Sequence, residues 1–259
     1  MKKPPNIVVV SDLHVGSAFA LCPERFDLDS ESHVRDFIRQ SWAKFTADAI
    51  KRGPFVLVVN GDATEGIHHG GKELVLKSQV KQWRAAIEAL RPLLKHAAAT
   101  YITEGTECHT LDDEADLAEE LGAVRGPDGY SHRRLKLRVN GLTHSFTHHI
   151  GTSARPWTET TALMAALVSE QNQCRQAGES VTDILVCAHR HTGAHVWTES
   201  GICATTASWQ FPTRHVGKVV AHARPVIGGL IIEHEKPGEW PTIRHLHYRP
   251  APMKEFGHA

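Results

Sequence analysis

The chain has little cysteine: Cys22, Cys108, Cys174, Cys187 and Cys203 are five scattered residues in 259, odd in number and without a C-x-x-C pair. That excludes a disulfide framework and suits a reducing cytosol. It has no excess charge of either sign, with 29 Lys+Arg against 29 Asp+Glu, so bulk electrostatics would not hold it to nucleic acid. No apolar run approaches the roughly 20 residues that a membrane helix needs. Met1-Lys2-Lys3 is followed at once by Pro4-Pro5, and the apolar run after them is too short for a signal peptide. No repeat, low-complexity tract or linker divides the chain, and a 41% hydrophobic, 22% charged composition excludes global disorder. The expectation is one soluble, cytoplasmic domain over residues 1–259. What the chain has in abundance is histidine, 19 residues, the commonest metal ligand and the usual proton carrier near pH 7.

Ile7-Val8-Val9-Val10 and Phe55-Val56-Leu57-Val58-Val59 are β-branched runs of the kind buried on both faces of a sheet. Between them, Val34, Ile38, Trp42, Phe45 and Ala49 recur at helical spacing, and Gly53-Pro54 ends the pattern. A second helix is expected from the stripe Leu76, Val80, Trp83, Ile87, Leu90 and Leu94, with Pro92 kinking or ending it. Thr100-Tyr101-Ile102 reads as a third strand. Strand, helix, strand, helix, strand is the order of a parallel sheet covered on both faces. The second half is richer in antiparallel strands: residues 134–139 and 142–147 flank Asn140-Gly141, a strong hairpin signal. A helix over about 158–177 stops at Gly178. Strands follow near 184–187, 194–198 and 202–206, and a final hairpin surrounds Pro237-Gly238.

Each buried strand runs into ligand-type residues: Asp12-x-His14, Gly61-Asp62, Glu107-Cys108-His109, His148-His149 and His189-x-His191. In open α/β sheets, ligands bind at the carboxyl ends of strands, so these clusters should converge. Carboxylate oxygen mixed with imidazole nitrogen suits Mn, Fe, Ni or Zn better than an all-oxygen Ca or Mg cage.

In order and spacing these elements resemble the motif set of the calcineurin-like metallophosphoesterases, over residues 6 to about 195. Singly each motif is weak; five in order, each after an expected strand, are specific. The resemblance implies an α/β fold of two packed mixed sheets flanked by helices, a four-layer αββα sandwich. It implies two divalent transition-metal ions and hydrolysis of a phosphate ester by a hydroxide between the metals. Asp12, His14 and His191 would hold one ion, His148 and His189 the other, with Asp62 bridging. His148 is preferred to His149 as the residue that comes first after the strand, and His149 is set against the substrate.

The third element departs from the family's Gly-Asn-His-(Asp/Glu). Here Gly105-Thr106-Glu107-Cys108-His109 has no Asn, and its His is displaced. Glu107, rather than Thr106, is expected as the replacement ligand, and His109 as the general acid. The substrate is a phosphate ester, with a nucleotide or nucleic acid among the options, so a nuclease is the nearest rival and a non-catalytic metal-binding scaffold the next. The spellings around Ser11 and Gly61 resemble phage and prophage members.

Plainer readings stand beside these. His68-His69 would touch the substrate or simply lie in a solvated glycine-rich loop. Arg155-Pro156-Trp157 would wall the substrate or begin a helix. Arg190 is expected in a structural ion pair. The basic run 132–138 is expected as a solvated edge strand, with a nucleic-acid rail as the minority reading. His215, His222, His234, His245, His247 and His258 are expected mostly at the surface.

Overall fold

The computed structural model describes residues 4–27, 32–68, 71–110, 114–151, 158–214 and 226–251. The first sheet is built from β1 (Asn6–Val10), β2 (Phe55–Asn60), β3 (Ala97–Thr103), β4 (Ser131–His132), β10 (Ile227–Glu233) and β11 (Thr242–Tyr248), in the order β11-β10-β1-β2-β3-β4. β1 to β4 are parallel, and β10 and β11 add an antiparallel pair beside β1. The second sheet contains β5 (Leu135–Val139), β6 (Leu142–Phe146), β7 (Ile184–Cys187), β8 (Ala194–Thr198) and β9 (Gly201–Thr205), in the order β5-β6-β7-β9-β8. Both sheets are mixed.

Alternation along the strands creates the layers. Ile7, Val9 and Val58 of the first sheet pack with Phe146, Ile184, Val186 and Ile202 of the second. Their neighbours Val8, Val10, Leu57 and Val59 face the other way, onto Ile38, Phe45, Ala86 and Leu90 of the helices α1 (His33–Lys51) and α2 (Gln79–Leu94). On the far side of the second sheet, Leu185, Cys187 and Cys203 pack against Leu163 and Leu167 of α5 (Glu159–Ala177). A strand side chain points to one face and the next to the opposite face, so a run apolar at every position must be covered twice. The result is helices, sheet, sheet, helix, as the resemblance implies.

The helices follow the expected limits with one revision. Ser32 caps α1, accepting from the Arg35 N–H at 3.4 Å, and Gly178 closes α5 with φ +68. In α2 the buried face is Gln82, Ala85, Ala86, Ala89, Leu90 and Leu93, which shares Leu90 with the expected stripe; Leu76, just before the helix, is buried as well, but Val80 is exposed. Alanines let the helix lie close to the sheet, and the larger Trp83, Ile87 and Leu94 fill its margins. α2 runs two residues past Pro92. The short helices α3 (Glu107–Thr110) and α4 (Glu114–Glu120) follow β3. Among the described residues no helix is long and apolar enough to cross a membrane.

Asn140-Gly141 forms the expected β5–β6 turn with both φ values positive, and it also ties the sheets together. The Asn140 amide donates to the Lys236 and Glu239 carbonyls at 2.9 and 3.2 Å, and its oxygen accepts from the Gly238 N–H at 3.0 Å. The basic strand β5 is not simply solvated: Arg134 and Lys136 pair with Glu179 beyond α5, and Arg134 also lies near Glu170. Arg190 reaches the main-chain carbonyl of Glu159 at 3.5 Å, and among the described residues it pairs with no carboxylate. Arg155, Pro156, Trp157, His69, His215, His222 and His258 lie outside the described residues.

Three histidines expected at the surface are not there. His234 is fully buried, and His245 and His247 are half-buried. His234 meets His144 of β6 edge to face, ring centres 5.2 Å apart. Burial, reinforced by His234, holds His144 down to about 3, and burial holds His234 down to about 4. Both rings are therefore neutral in the fold but protonate near pH 6.5 when the chain unfolds. Stability is complete above that pH and falls below it, by up to about 1.4 kcal/mol per pH unit for each ring. The melting temperature should drop between pH 6.5 and 5, and the double variant His144→Leu/His234→Leu should flatten that drop; an unaltered slope would contradict the assignment.

Candidate metal centre

The parallel strands of both sheets end at one edge of the sandwich, and the ligand-type residues meet there. Main-chain hydrogen bonds continue the sheets beyond the strands: Asp12 N–H to Gly61 O and His14 N–H to Asp62 O, each 3.1 Å, Ala188 N–H to His148 O, 2.9 Å, and Trp209 N–H to Asp12 O, 2.9 Å. The side chains thus leave a hydrogen-bonded frame, not free loops. Among the described residues six that are not glycine have positive φ, and five of them are Asp12, His14, Asp62, His189 and His191. A left-handed backbone costs a residue of this kind about 1 kcal/mol or more, and such strain gathers at functional sites. It bends the chain at each residue of both i, i+2 pairs.

Two groups of donor atoms result, each with its members within 4.8 Å of one another: Asp12, His14 and His191, and His148, His149 and His189. Asp12 and Asp62 form a further group with His148, which joins the two. His14 Nε2 and His191 Nε2 are 3.2 Å apart, and His191 Nε2 is 3.3 Å from Asp12 Oδ1. Asp62 Oδ2 lies 3.0 Å from His148 Nε2 and 3.9 Å from His14 Nε2, so this carboxylate faces both groups.

The third element is corrected. Glu107 is exposed on the first turn of α3, and none of the metal-capable groups includes it. Thr106 stands in its place, because α3 begins immediately after it and turns Glu107 outward. Its Oγ1 is 3.2 Å from Asp62 Oδ2, 3.4 Å from His148 Nε2 and 3.3 Å from His189 Nδ1. His109 does reach the centre: its ring is 4.5 Å from that of His14, and it groups with His14 and Asp62. His109 Nδ1–H donates to the Glu65 carbonyl at 2.7 Å. His68 lies beyond, its ring 4.8 Å from His109 and its Nε2 3.2 Å from Glu65 Oε1. His149 is exposed, its ring 4.9 and 4.8 Å from those of His148 and His189.

Two residues of the centre were not picked out from the sequence. Glu65 Oε2 lies 2.9 Å from His14 Nδ1, an ion-pair contact that leaves His14 Nε2 toward the carboxylates, and it accepts in turn from Gln210 Nε2 at 3.0 Å. Glu65 sits three residues after Asp62 at the same strand end, so its position was a usable signal; Gln210 lay in a loop with none. On the other ligand, His148 Nδ1–H donates to the Asn60 carbonyl at 2.8 Å and directs Nε2 at Asp62. Gln82 of α2 clamps the loop beyond, bonding Gly66 through both its N–H and its carbonyl, at 2.8 and 3.1 Å.

Burial alone would raise the carboxyl groups and lower the imidazoles. Proximity reverses several of these shifts. Burial raises Asp12, but His191 and His148 override it and bring the group down to about 2. Burial likewise opposes ionisation of Asp62, yet His148 and His14 hold it far below the usual carboxylate range. His148, lowered by burial, is carried up to about 9 by Asp62 and Asp12, and His14 is raised by Glu65 and Asp62. Burial and the neighbouring His148 hold His149 and His189 below the ordinary imidazole value, and burial and His14 do the same to His109. Asp12 Oδ1 is buried and makes no hydrogen bond, although three imidazole Nε2 atoms lie within 3.3 to 4.0 Å of it. An ionised acceptor ringed by imidazole nitrogens, whose protons a metal would displace, suits a divalent cation, and the mixed oxygen and nitrogen donors suit a transition metal.

No family model matches the chain, and no curated protein does. Among solved structures, a novel archaeal phosphodiesterase is 12% identical over 94% of this chain and 99% of its own, with a TM-score of 0.48. Wild-type Vps29 of Entamoeba histolytica, complexed with zinc, is 11% identical over 94% of this chain and 98% of its own, with a TM-score of 0.45. A predicted phosphoesterase of Streptococcus pneumoniae is 10% identical over 95% of this chain and all of its own, with a TM-score of 0.39. None of the three bears on the expected phage or prophage kinship. The chemistry of the centre is read from its own residues.

Gly61 shows how tightly the centre is packed. Its φ is +80, and an added Cβ would clash with His148 Nδ1 and Cγ and lie 2.9 Å from Gly105 Cα. Gly61→Ala should therefore displace His148 and weaken metal binding about tenfold or more while the protein stays folded, as titration calorimetry with Mn²⁺ and circular dichroism would show. Unchanged affinity would mean that His148 is not a ligand.

Proposed function

We propose that the chain is a metal-dependent phosphoesterase of the calcineurin-like kind, hydrolysing a phosphate monoester or diester. The observation that carries the reading is the convergence of Asp12, His14, Asp62, His148, His189 and His191 on one edge, five of them in the left-handed conformation. A structural ion pair or a simple turn does not require that strain at five residues in one place.

In this reading Asp12, His14 and His191 would hold one divalent ion, and His148 and His189, with Thr106 beside them, would hold a second, with the Asp62 carboxylate shared between the two groups. The ions, drawn from Mn, Fe, Ni or Zn, supply Lewis acidity and positive charge at the phosphoryl oxygens and make the attacking water more acidic. The chain's own residues do the rest. Glu65 and the Asn60 carbonyl fix the ring orientations of His14 and His148. His109, tethered through Nδ1 to Glu65 O, hands a proton from Nε2 to the departing ester oxygen as the bond from phosphorus to that oxygen breaks. Burial and His14 hold the His109 ring below its ordinary value, and an anionic phosphoryl group beside it acts in the opposite direction. His68 and His149, at the margins of the two donor groups, face the substrate.

The test is hydrolysis of a chromogenic phosphodiester and the matching monoester with Mn²⁺, Ni²⁺ or Zn²⁺, with bound metal measured on the same samples. The wild type should hold about two ions and turn over. His109→Ala should keep its metal and lose about 10²- to 10⁴-fold in rate. Asp62→Asn should lose metal as well as turnover, because two cations would then face each other without their shared counter-charge. Two bound ions with no turnover on either ester would point to a scaffold; no bound metal would end the reading altogether.

A further inference from the structure

Glu114, the first residue of α4, is a buried carboxyl group with no place in the chemistry just described. Its Oε2 accepts the Gly105 N–H at 2.6 Å, and its Oε1 is buried without a hydrogen-bond partner among the described residues. Gly105 in turn lies directly on Asp62: an added Cβ would overlap the Asp62 main-chain nitrogen and Oδ1. The next residue, Thr106, donates its N–H to that same Oδ1 at 2.6 Å. One carboxylate oxygen of Asp62 is therefore committed to the loop, which leaves Oδ2 for His148 and the space between the two donor groups.

We propose that Glu114 is a positioning residue of the metal centre: by clamping Gly105 it holds the Thr106 N–H on Asp62 Oδ1 and so sets the angle at which Asp62 presents Oδ2. The inference rests on reading the centre as a two-cation site. The third element lacks the side chain that the family uses at this place, and Thr106 reaches Asp62 through its main chain as well as its hydroxyl. Its aim then depends on what holds the backbone, and the Glu114 carboxyl holds it at the Gly105 N–H. Burial, with Asp62 nearby, pushes the Glu114 carboxyl up to about 8, so near neutral pH it is an un-ionised acceptor and glutamine is its close replacement.

The experiment compares Glu114→Gln with Glu114→Leu in the full chain, by hydrogen exchange at the Gly105 and Thr106 amides and by Mn²⁺ titration calorimetry. The leucine variant should exchange at least tenfold faster at these amides and bind Mn²⁺ about 10- to 100-fold more weakly, the range for loss of a residue that orients a ligand. The glutamine variant should stay within about threefold of wild type in both, a rescue that mere filling of space by leucine cannot provide. If Glu114→Leu does not fold, Glu114→Asp, whose carboxyl is drawn back by one methylene, takes its place. Unchanged amide exchange in that variant, faster exchange with unchanged Mn²⁺ affinity, or a glutamine variant no better than leucine would each overturn the proposal. If the wild type binds no Mn²⁺, the functional reading falls, and the positioning of Asp62 is then decided by exchange alone.

Discussion

The centre depends on one constraint: Asp12, Asp62 and Glu65 are buried carboxylates packed within a few ångströms of imidazoles, at the edge where two sheets meet. A buried carboxylate without partners costs many kcal/mol, so every oxygen must have a charge or a donor facing it. Asp62 meets the demand by giving one oxygen to the Thr106 N–H and the other to His148. Glu65 divides its oxygens between His14, Gln210 and His68. Asp12 Oδ1 alone is left to the ring of imidazoles, which is why the centre reads as a cation site and not as a closed ion-pair network.

The architecture supplies these residues from two independent sheets. β1, β2 and β3 carry Asp12, His14, Asp62 and Thr106 from one side, and β6 and β7 carry His148, His189 and His191 from the other. The interface between the sheets is apolar, built from Ile7, Val9, Phe146, Ile184 and Val186. Close packing of that kind transmits position with little slack, so the distances between ligands of different sheets are set by the core beneath them. The Asn140 contacts to the β10–β11 hairpin add a second tie between the sheets.

Around the donor atoms lies a shell that fixes their orientation: Glu65 behind His14, the Asn60 carbonyl behind His148, and Glu114 behind Gly105 and Thr106. Such groups decide which ring nitrogen faces inward and which carboxylate oxygen remains available. None of them need contact a substrate. They account for the polar residues that an apolar core would otherwise exclude, Gln82 among them.

Local order in the chain was enough to locate the strands, because β-branched runs buried on both faces leave a continuous apolar signature, as in Ile7 to Val10 and Ile184 to Cys187. It was enough to pick out Asp12, His14, Asp62, His189 and His191, because each follows such a run at a strand end. It failed where a neighbour distant in sequence decides the outcome. Alanines and Gln82 joined Leu90 and Leu93 on the buried face of α2 because contact with the sheet, not the spacing of the larger apolar residues, sets which side is covered. His234 went into the interior because it meets His144, 90 positions earlier. Thr106 rather than Glu107 faces Asp62 because α3 starts between them and turns one side chain in and the other out. Residue type and spacing therefore determined which groups could form a centre, and tertiary packing alone determined which oxygen and which nitrogen each presents to it, since orientation depends on contacts that no local pattern encodes.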